Sequence, residues 1–536
     1  MTIPAHHTKR HEMSSRFESF RVLSWIVLFS DQLNSMKRYP ISEQLRVSFI
    51  QRLCAHLLEP VDISFLIFFR IVFGAIMLWE VYRYFTNDWI RRYYIQPTIY
   101  FSYYGFSWVK PWPGQGMYVH FFVLGVLAVC ILAGFFYRVA ATLFFVGFTY
   151  VFLLDQTRYL NHFYLVSLIG FLLIFLPAHR ALSIDSLLRP GIRSDRVPAW
   201  TLWLLRAQVG IAYLFGGIAK LNSDWFRGEP MRTWLRPLTK LPSIGPFFEK
   251  EWMVYQFVIG GLLLDLLVVP LLLWRRTRQY AFLAAIIFNL TNAVIFQIGI
   301  FPWFMLGATL IFFPPDLMRR IASGFVHAFA SPDASPALRQ VEKTEVQKTG
   351  EDAASATVDI AAKCEALSWK QKAVAALLTT YLAVQIILPI RHYAYPGNVS
   401  WTEEGHNFSW HMKLRAKKAD ALFTLTHPAS GQTWTIDPKH HLEPHQLARM
   451  AIHPDMILQF SHYLAELKRR EGYDVEVRAR VMASLNGRKP QLLIDPNADL
   501  AKERLSLLPA RWILPLTEPL PPRGSAAPQE TDDPDN

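Results

Sequence analysis

The sequence predicts a polytopic α-helical membrane protein of about nine spans, followed by a C-terminal extramembrane mixed β domain. Three observations carry this. Of 536 residues, 52% are hydrophobic and only 18% are charged, whereas soluble domains are nearer a quarter charged. The apolar residues gather in long blocks of span length. From Arg391 onward the composition returns to that of a soluble domain.

The predicted spans are 63–84, 118–137, 139–154, 161–177, 199–221, 252–274, 280–297, 300–316 and 372–390. Several are short or closely spaced, which leaves room for a re-entrant segment. The expected organisation is a cytosolic N-terminal segment over 1–60, a transmembrane helical domain over 61–316 and a cytosolic linker over 317–371. A last span over 372–391 then leads to an outer β-rich domain over 392–516 and a disordered tail over 517–536. No signal-peptide pattern is expected, because the first apolar stretch, Val22 to Phe29, is too short and follows a long basic lead.

Charge assigns the sides. The net charge is +13, but the basic residues cluster beside apolar blocks, as in Arg275-Arg276-Thr277-Arg278 and Arg319-Arg320. That is how cytoplasmic loops look, so a lipid bilayer and not nucleic acid is the expected partner. Residues 1–60, 178–198, 275–279 and 317–371 are all basic and fall on one side under a nine-span count. The N-terminus is therefore expected in the cytoplasm and the C-terminal domain on the outer face, periplasm or lumen. The three cysteines, Cys54, Cys130 and Cys364, show no CxxC or Cys/His spacing, so neither a disulfide nor a metal site is expected.

In the outer domain, Val475 to Leu485 alternates apolar and polar, which predicts a half-buried strand. Asn486-Gly487 predicts a turn into a second strand over Gln491–Ile494. Met456, Ile457, Phe460, Tyr463, Leu464 and Leu467 share one face of a predicted helix.

The candidate chemistry centres on Lys220, which closes the apolar run Tyr213-Leu-Phe-Gly-Gly-Ile-Ala-Lys220. An ammonium near hydrocarbon snorkels to water, finds a partner or gives up its proton. Residue chemistry alone leaves two readings, a snorkelling lysine at a helix C-terminus and a base. Asn161-His162 begins the fourth span, where an interfacial aromatic belt is the plain alternative to a site. The predicted topology brings Lys220 and His162 to one membrane level, beneath the outer domain. Arg70, Arg206 and Asp265 lie deeper and predict a structural ion network, with Asp265 paired to Arg206 or Arg70. Asn289 and Asn292 in the seventh span predict interhelical hydrogen bonds or a cavity wall.

Taken together, Phe68-Phe-Arg-Ile-Val-Phe-Gly74, Asn161-His162, Gly217-Ile-Ala-Lys220-Leu-Asn-Ser-Asp-Trp225 and Phe296-Gln-Ile-Gly-Ile-Phe301 resemble the membrane blocks of the vitamin K-dependent γ-glutamyl carboxylase family, which shares the horizontally transferred transmembrane domain. Trp401-Thr-Glu-Glu-Gly-His-Asn-Phe-Ser409-Trp410-His-Met412 is similar to the family block associated with substrate glutamate. Asp455-Met456 and Asp495-Pro496 also fit, so the resemblance runs from about Ile63 to Leu516.

The resemblance implies a carbon–carbon lyase-class carboxylase with quinol epoxidase activity. Its cofactor is reduced vitamin K, a hydroquinone, with O2 and CO2 as co-substrates and a glutamate-containing protein or peptide as partner. Oxygenation of the hydroquinone yields a strong base that removes a glutamate γ-proton; the carbanion adds CO2 and the epoxide leaves. In this reading Lys220 activates the quinol, His162 steadies the developing charge and Asn161 supports it. Asn289 and Asn292 face the quinone, and Trp401, Ser409 and Trp410 meet the glutamate. Two departures are visible: Asn289 stands where animal members carry a histidine, and their cysteine pair has no counterpart. Epoxidation without carboxylation, and a non-catalytic transporter or sensor of the same fold, are the alternative readings.

Overall fold

The computed structural model describes residues 56–329 and 369–522. The N-terminal segment and most of the 317–371 linker lie outside the described residues.

All nine predicted segments are helical. They are α1 (Ser64–Thr86), α2 (Gly116–Ala133), α3 (Tyr137–Leu154), α4 (Asn161–Phe175), α5 (Trp200–Ala219), α6 (Glu251–Leu273), α7 (Arg278–Ile295), α8 (Phe301–Thr309) and, after a short amphipathic α9 (Leu317–Phe329), α10 (Trp369–Ile390). Nine spans, however, is more than length and composition support. Among the described residues six helices are long and apolar enough to cross a membrane, or seven if the bent pair 301–312 and 317–324, which turns by 100°, counts as one. The reasons are local. α4 has 15 residues, about 22 Å at 1.5 Å per residue, against a hydrocarbon core of about 30 Å; it stops at Leu176, ahead of Pro177. α7 carries Asn289 and Asn292, which turn inward and are buried.

Inside the bundle, helix ends are closed by their own sequence. α2 ends at Gly134, whose φ of 65° lets its N–H reach back to the carbonyls of Cys130 and Ile131. A Cβ there would lie 2.5 Å from Arg70 Nη1, so glycine also makes room for that guanidinium. The arginine donates to the carbonyls of Ala178, at 2.8 Å, and Leu182, at 2.5 Å. Arg206 likewise donates to Ile311 and Phe313 carbonyls. Both cations thus donate to backbone carbonyls, and Asp265 pairs with neither but with Lys220. The expected ion network is corrected on this point.

A short antiparallel ribbon pairs β1 (Pro60–Asp62) with β2 (Arg196–Pro198), and the outer domain is a four-stranded antiparallel sheet in the order β4-β3-β5-β6, built from β3 (Lys417–Thr426), β4 (Thr433–Ile436), β5 (Glu476–Leu485) and β6 (Gln491–Leu492). Val477, Ala479, Val481, Ala483 and Leu485 form the inward face of β5. Against them pack two helices, α11 (Pro444–Ile452) and α12 (Pro454–Arg470). The turn after β5 holds Asn486 at φ 54° and Gly487 at φ 79°, the left-handed pair that Asn-Gly accommodates readily.

The boundary between bundle and outer domain is interleaved. Phe101, from the loop between α1 and α2, sits in the outer-domain core, while Trp410 sits in the bundle core. Gln156 donates to Asp455 at 2.6 Å and Gln446 to Asp155 at 3.0 Å. Beside the α5 terminus, Arg488 forms a bidentate pair with Asp224 at 2.7 and 2.8 Å, and Asn486 joins it at 2.8 Å. Residues 517–522, expected in a disordered tail, belong to this contact: Arg488 donates to the Glu518 carbonyl, Arg227 to that of Pro521, and Leu520 is buried.

This clasp is buried on both sides, so removing one partner strands a charge. Arg488→Ala should lower stability by about 3–5 kcal/mol, and Arg488→Met with Asp224→Leu should recover much of it. Thermal unfolding of the detergent-solubilised protein reads both.

Candidate active site

The site is built where α5 meets α6. Gly216 and Gly217 bring the two helices into close contact; a Cβ on Gly217 would lie 2.6 Å from Leu266 Cδ2 and 3.1 Å from its backbone nitrogen. That approach puts Asp265 of α6 level with the last turn of α5. Lys220 caps α5, and a helical side chain leans toward the N-terminus. Its Nζ therefore reaches back to the Gly216 carbonyl at 3.1 Å and to Asp265 Oδ2 at 2.5 Å. Both side chains are at most 7% exposed. Lys220 does not snorkel outward. Asp265 meets Lys220 and not Arg206 or Arg70 because α5 and α6 are staggered, with Gly217 packed against Leu266.

The pair forms part of the wall of a cavity of about 1180 Å³ that runs from the bundle into the outer domain. Asn161, His162, Asn289 and Asn292 line the same cavity, so five of the eight predicted site residues come together. Asn161 receives a hydrogen bond from Tyr159 and donates to the His411 carbonyl at 3.2 Å. The His162 ring is held by Phe163 and Phe301, at 4.8 and 6.0 Å between centroids. Asn289 Nδ2 donates to the Ala285 carbonyl at 2.8 Å, which leaves its Oδ1 as acceptor. Trp225, Phe257, Phe288 and Phe296 add apolar wall.

The other three predicted residues do not line the cavity. Trp401 is fully buried in the outer-domain core, and its Nε1 donates to Leu514. Ser409 Oγ is turned to the Gly405 carbonyl at 2.5 Å. Trp410 packs on Tyr164 of α4 at 5.1 Å. Their segment is nevertheless seated on the bundle: Tyr159 accepts from the Phe408 backbone N–H at 2.7 Å. The block presents His406, Asn407, His411, Met412, Lys413 and Arg415 to the cavity instead.

Cations missed from sequence dominate the outer end. Arg449, on α11, lines the cavity and has no acidic partner among the described residues. Lys413 lies over the Trp234 and Phe296 rings at 5.2 and 5.5 Å. Arg415 is paired with buried Glu403, and burial pulls its guanidinium down to about 9. Burial likewise lowers Lys413 and Arg449 from their ordinary values. Nothing local in the sequence separates such residues from surface basics; only the loop ahead of β3 and the helix α11 that carry them, closing over the bundle, do so.

A membrane-level cavity with a buried amine–carboxylate pair, two asparagine amides and aromatic walls suits a lipid-soluble quinol head group. A cationic outer end suits an anion. No solved structure matches the chain. The HTTM domain family matches residues 58–317, and the lumenal domain of vitamin K-dependent gamma-carboxylase matches residues 370–519. The first match coincides with the bundle and the second with the last span and the outer domain. Together they cover the cavity from both sides, and the chain belongs to the vitamin K-dependent gamma-glutamyl carboxylase family.

Proposed function

We propose that this protein is an integral-membrane carboxylase and quinol epoxidase, coupling oxidation of reduced vitamin K to γ-carboxylation of a glutamate-bearing peptide. The buried Lys220–Asp265 pair on the wall of a quinol-sized cavity carries this reading. When bound, reduced vitamin K with O2 supplies the strong base that no side chain provides. The chain's residues do the rest. Lys220 and Asp265 form a neutral unit, either ammonium with carboxylate or amine with carboxylic acid. Attraction favours the first and dehydration the second. In both, the unit accepts one further proton, so the pair rather than the amine alone is the base.

Asn289 and Asn292 orient the quinol oxygens. His162, carried by the Asn161 turn, faces the charge that develops on the substrate. Arg449, Lys413 and Arg415 hold the substrate carboxylate, and the aromatic walls exclude water. Trp410 acts by seating this segment on α4, and Trp401 and Ser409 by fixing it within the outer domain. The N-terminus is cytoplasmic in this reading, and the outer domain faces lumen or periplasm.

Epoxidation without carboxylation is the second reading, favoured by the absence of Trp401, Ser409 and Trp410 from the cavity wall. The deciding assay uses purified protein, reduced vitamin K, labelled bicarbonate and a glutamate peptide, with epoxide and fixed label counted separately. Epoxide with label supports the first reading, and epoxide without label the second.

Lys220→Ala should abolish epoxide formation, at a cost in stability of about 3–5 kcal/mol that leaves the protein folded, and Lys220→Arg should fail too, because a guanidinium keeps its proton and cannot reach the amine–acid form of the pair. Near-normal epoxidation by Lys220→Arg would remove Lys220 as proton acceptor and leave the Asp265 carboxylate in that role. Arg449→Gln should raise the peptide KM by about 10- to 100-fold, the worth of one charge-assisted hydrogen bond, while epoxide formed without peptide stays unchanged. An unaltered peptide KM would remove Arg449 from carboxylate binding.

A further inference from the structure

Three histidines lie in contact between the cavity and the outer surface. His411 lines the cavity, beside Met412. A Cβ on Gly216 would lie 2.8 Å from Met412 Cε and 3.4 Å from Asp265 Oδ2, so this turn abuts the base pair. The His411 ring is 4.7 Å from that of His392, edge-on at 87°, and 5.1 Å from that of His406. His411 and His406 are buried, with Nδ1 atoms that have no hydrogen-bond partner. His392 is half-buried, next to Tyr393, which is 64% exposed. Its Nδ1 lies 2.7 Å from the Pro389 carbonyl. A carbonyl only accepts, so Nδ1 carries the hydrogen and Nε2 is left to take a proton.

We infer that His411 and His392, flanked by His406, form a proton relay that carries protons from the Lys220–Asp265 pair to the outer aqueous face. The inference rests on the function proposed above, whose stoichiometry requires an exit. Hydroquinone and O2 give epoxide and water; a glutamate C–H and CO2 give a carboxylate and one proton. That net proton must leave the cavity. Lys220 itself donates to Gly216 and Asp265.

The surroundings favour neutral rings. Burial lowers His406 to about 3 and His411 well below its ordinary value. Lys220 bears on His411, while Lys417 and Arg449 bear on His406 and Arg391 on His392. Among the described residues Glu403, 3.7 Å from His406 Nδ1, is the acid that faces the cluster, and it is already paired with Arg415. A neutral imidazole has one donor and one acceptor nitrogen, which is what a relay station needs.

The test compares the full-length protein with His411→Asn and His392→Gln, assaying epoxide and label fixed from bicarbonate with reduced vitamin K and a glutamate peptide, because only carboxylation releases a net proton. Both variants should lose about 10-fold or more in kcat, at the lower edge of general acid–base effects, with the quinol KM unchanged. Added imidazole should restore part of the loss, most in His392→Gln, where the site is half-exposed. A purely structural role would not respond to imidazole. Epoxide formation by the unsubstituted protein, with kcat in His392→Gln and His411→Asn within twofold of it, overturns the relay alone. So does a loss that imidazole leaves untouched. If the unsubstituted protein forms no epoxide, the functional reading falls and the relay with it.

Discussion

The contact between Lys220 and Asp265 is the constraint on which the rest of the site depends. Two groups that would each be costly in hydrocarbon are buried together at 2.5 Å. Neither is tolerable there without the other. The glycines at 216 and 217 follow from this need, since any larger residue would push α6 away from α5 and stretch the pair. Reactivity follows as well. A lone buried lysine would lose its proton and a surface one would keep it; a shared pair can hold or yield one at little cost, because its net charge stays at zero until it acts as a base.

The second requirement is that a membrane bundle and an aqueous domain make one cavity. No disulfide joins them among the described residues. The joint consists of an exchange of aromatic side chains, Phe101 outward and Trp410 inward, and of buried polar links between Asp224 and Arg488, Asp155 and Gln446, and Asp455 and Gln156. Asp224 lies four residues after Lys220, so the segment that supplies the base also anchors the lid. This couples the cationic outer wall, carried by Lys413, Arg415 and Arg449, to the chemistry below it.

Much of this was legible in sequence where a physical cost was local. Lys220 stood out because an ammonium ends an apolar run. The strand at 476–485 and the face of α12 followed from periodicity. Legibility failed where the answer depended on how elements meet. Asp265 was visible as a buried acid, but its partner depended on helix stagger. With the short α4 and the bent α8–α9 pair, length and composition support six or seven of the nine expected spans among the described residues, because hydropathy blocks do not report helix length. The outer block at 401–412 was marked by resemblance, yet which of its side chains face the cavity was set by the left-handed turns at Glu403, Phe408 and Trp410. Arg449 carried no sequence signal at all.

The central claim is that Lys220 and Asp265 act as one unit, and a double-mutant cycle between Lys220→Met and Asp265→Leu measures it most directly. Unfolding free energies of the four proteins give the coupling. Each single variant should cost about 3–5 kcal/mol and the double variant far less than their sum, because the stranded charge is removed with its partner. Additive losses, with coupling near zero, would mean that the two groups are independently stable in the bilayer and would contradict the account.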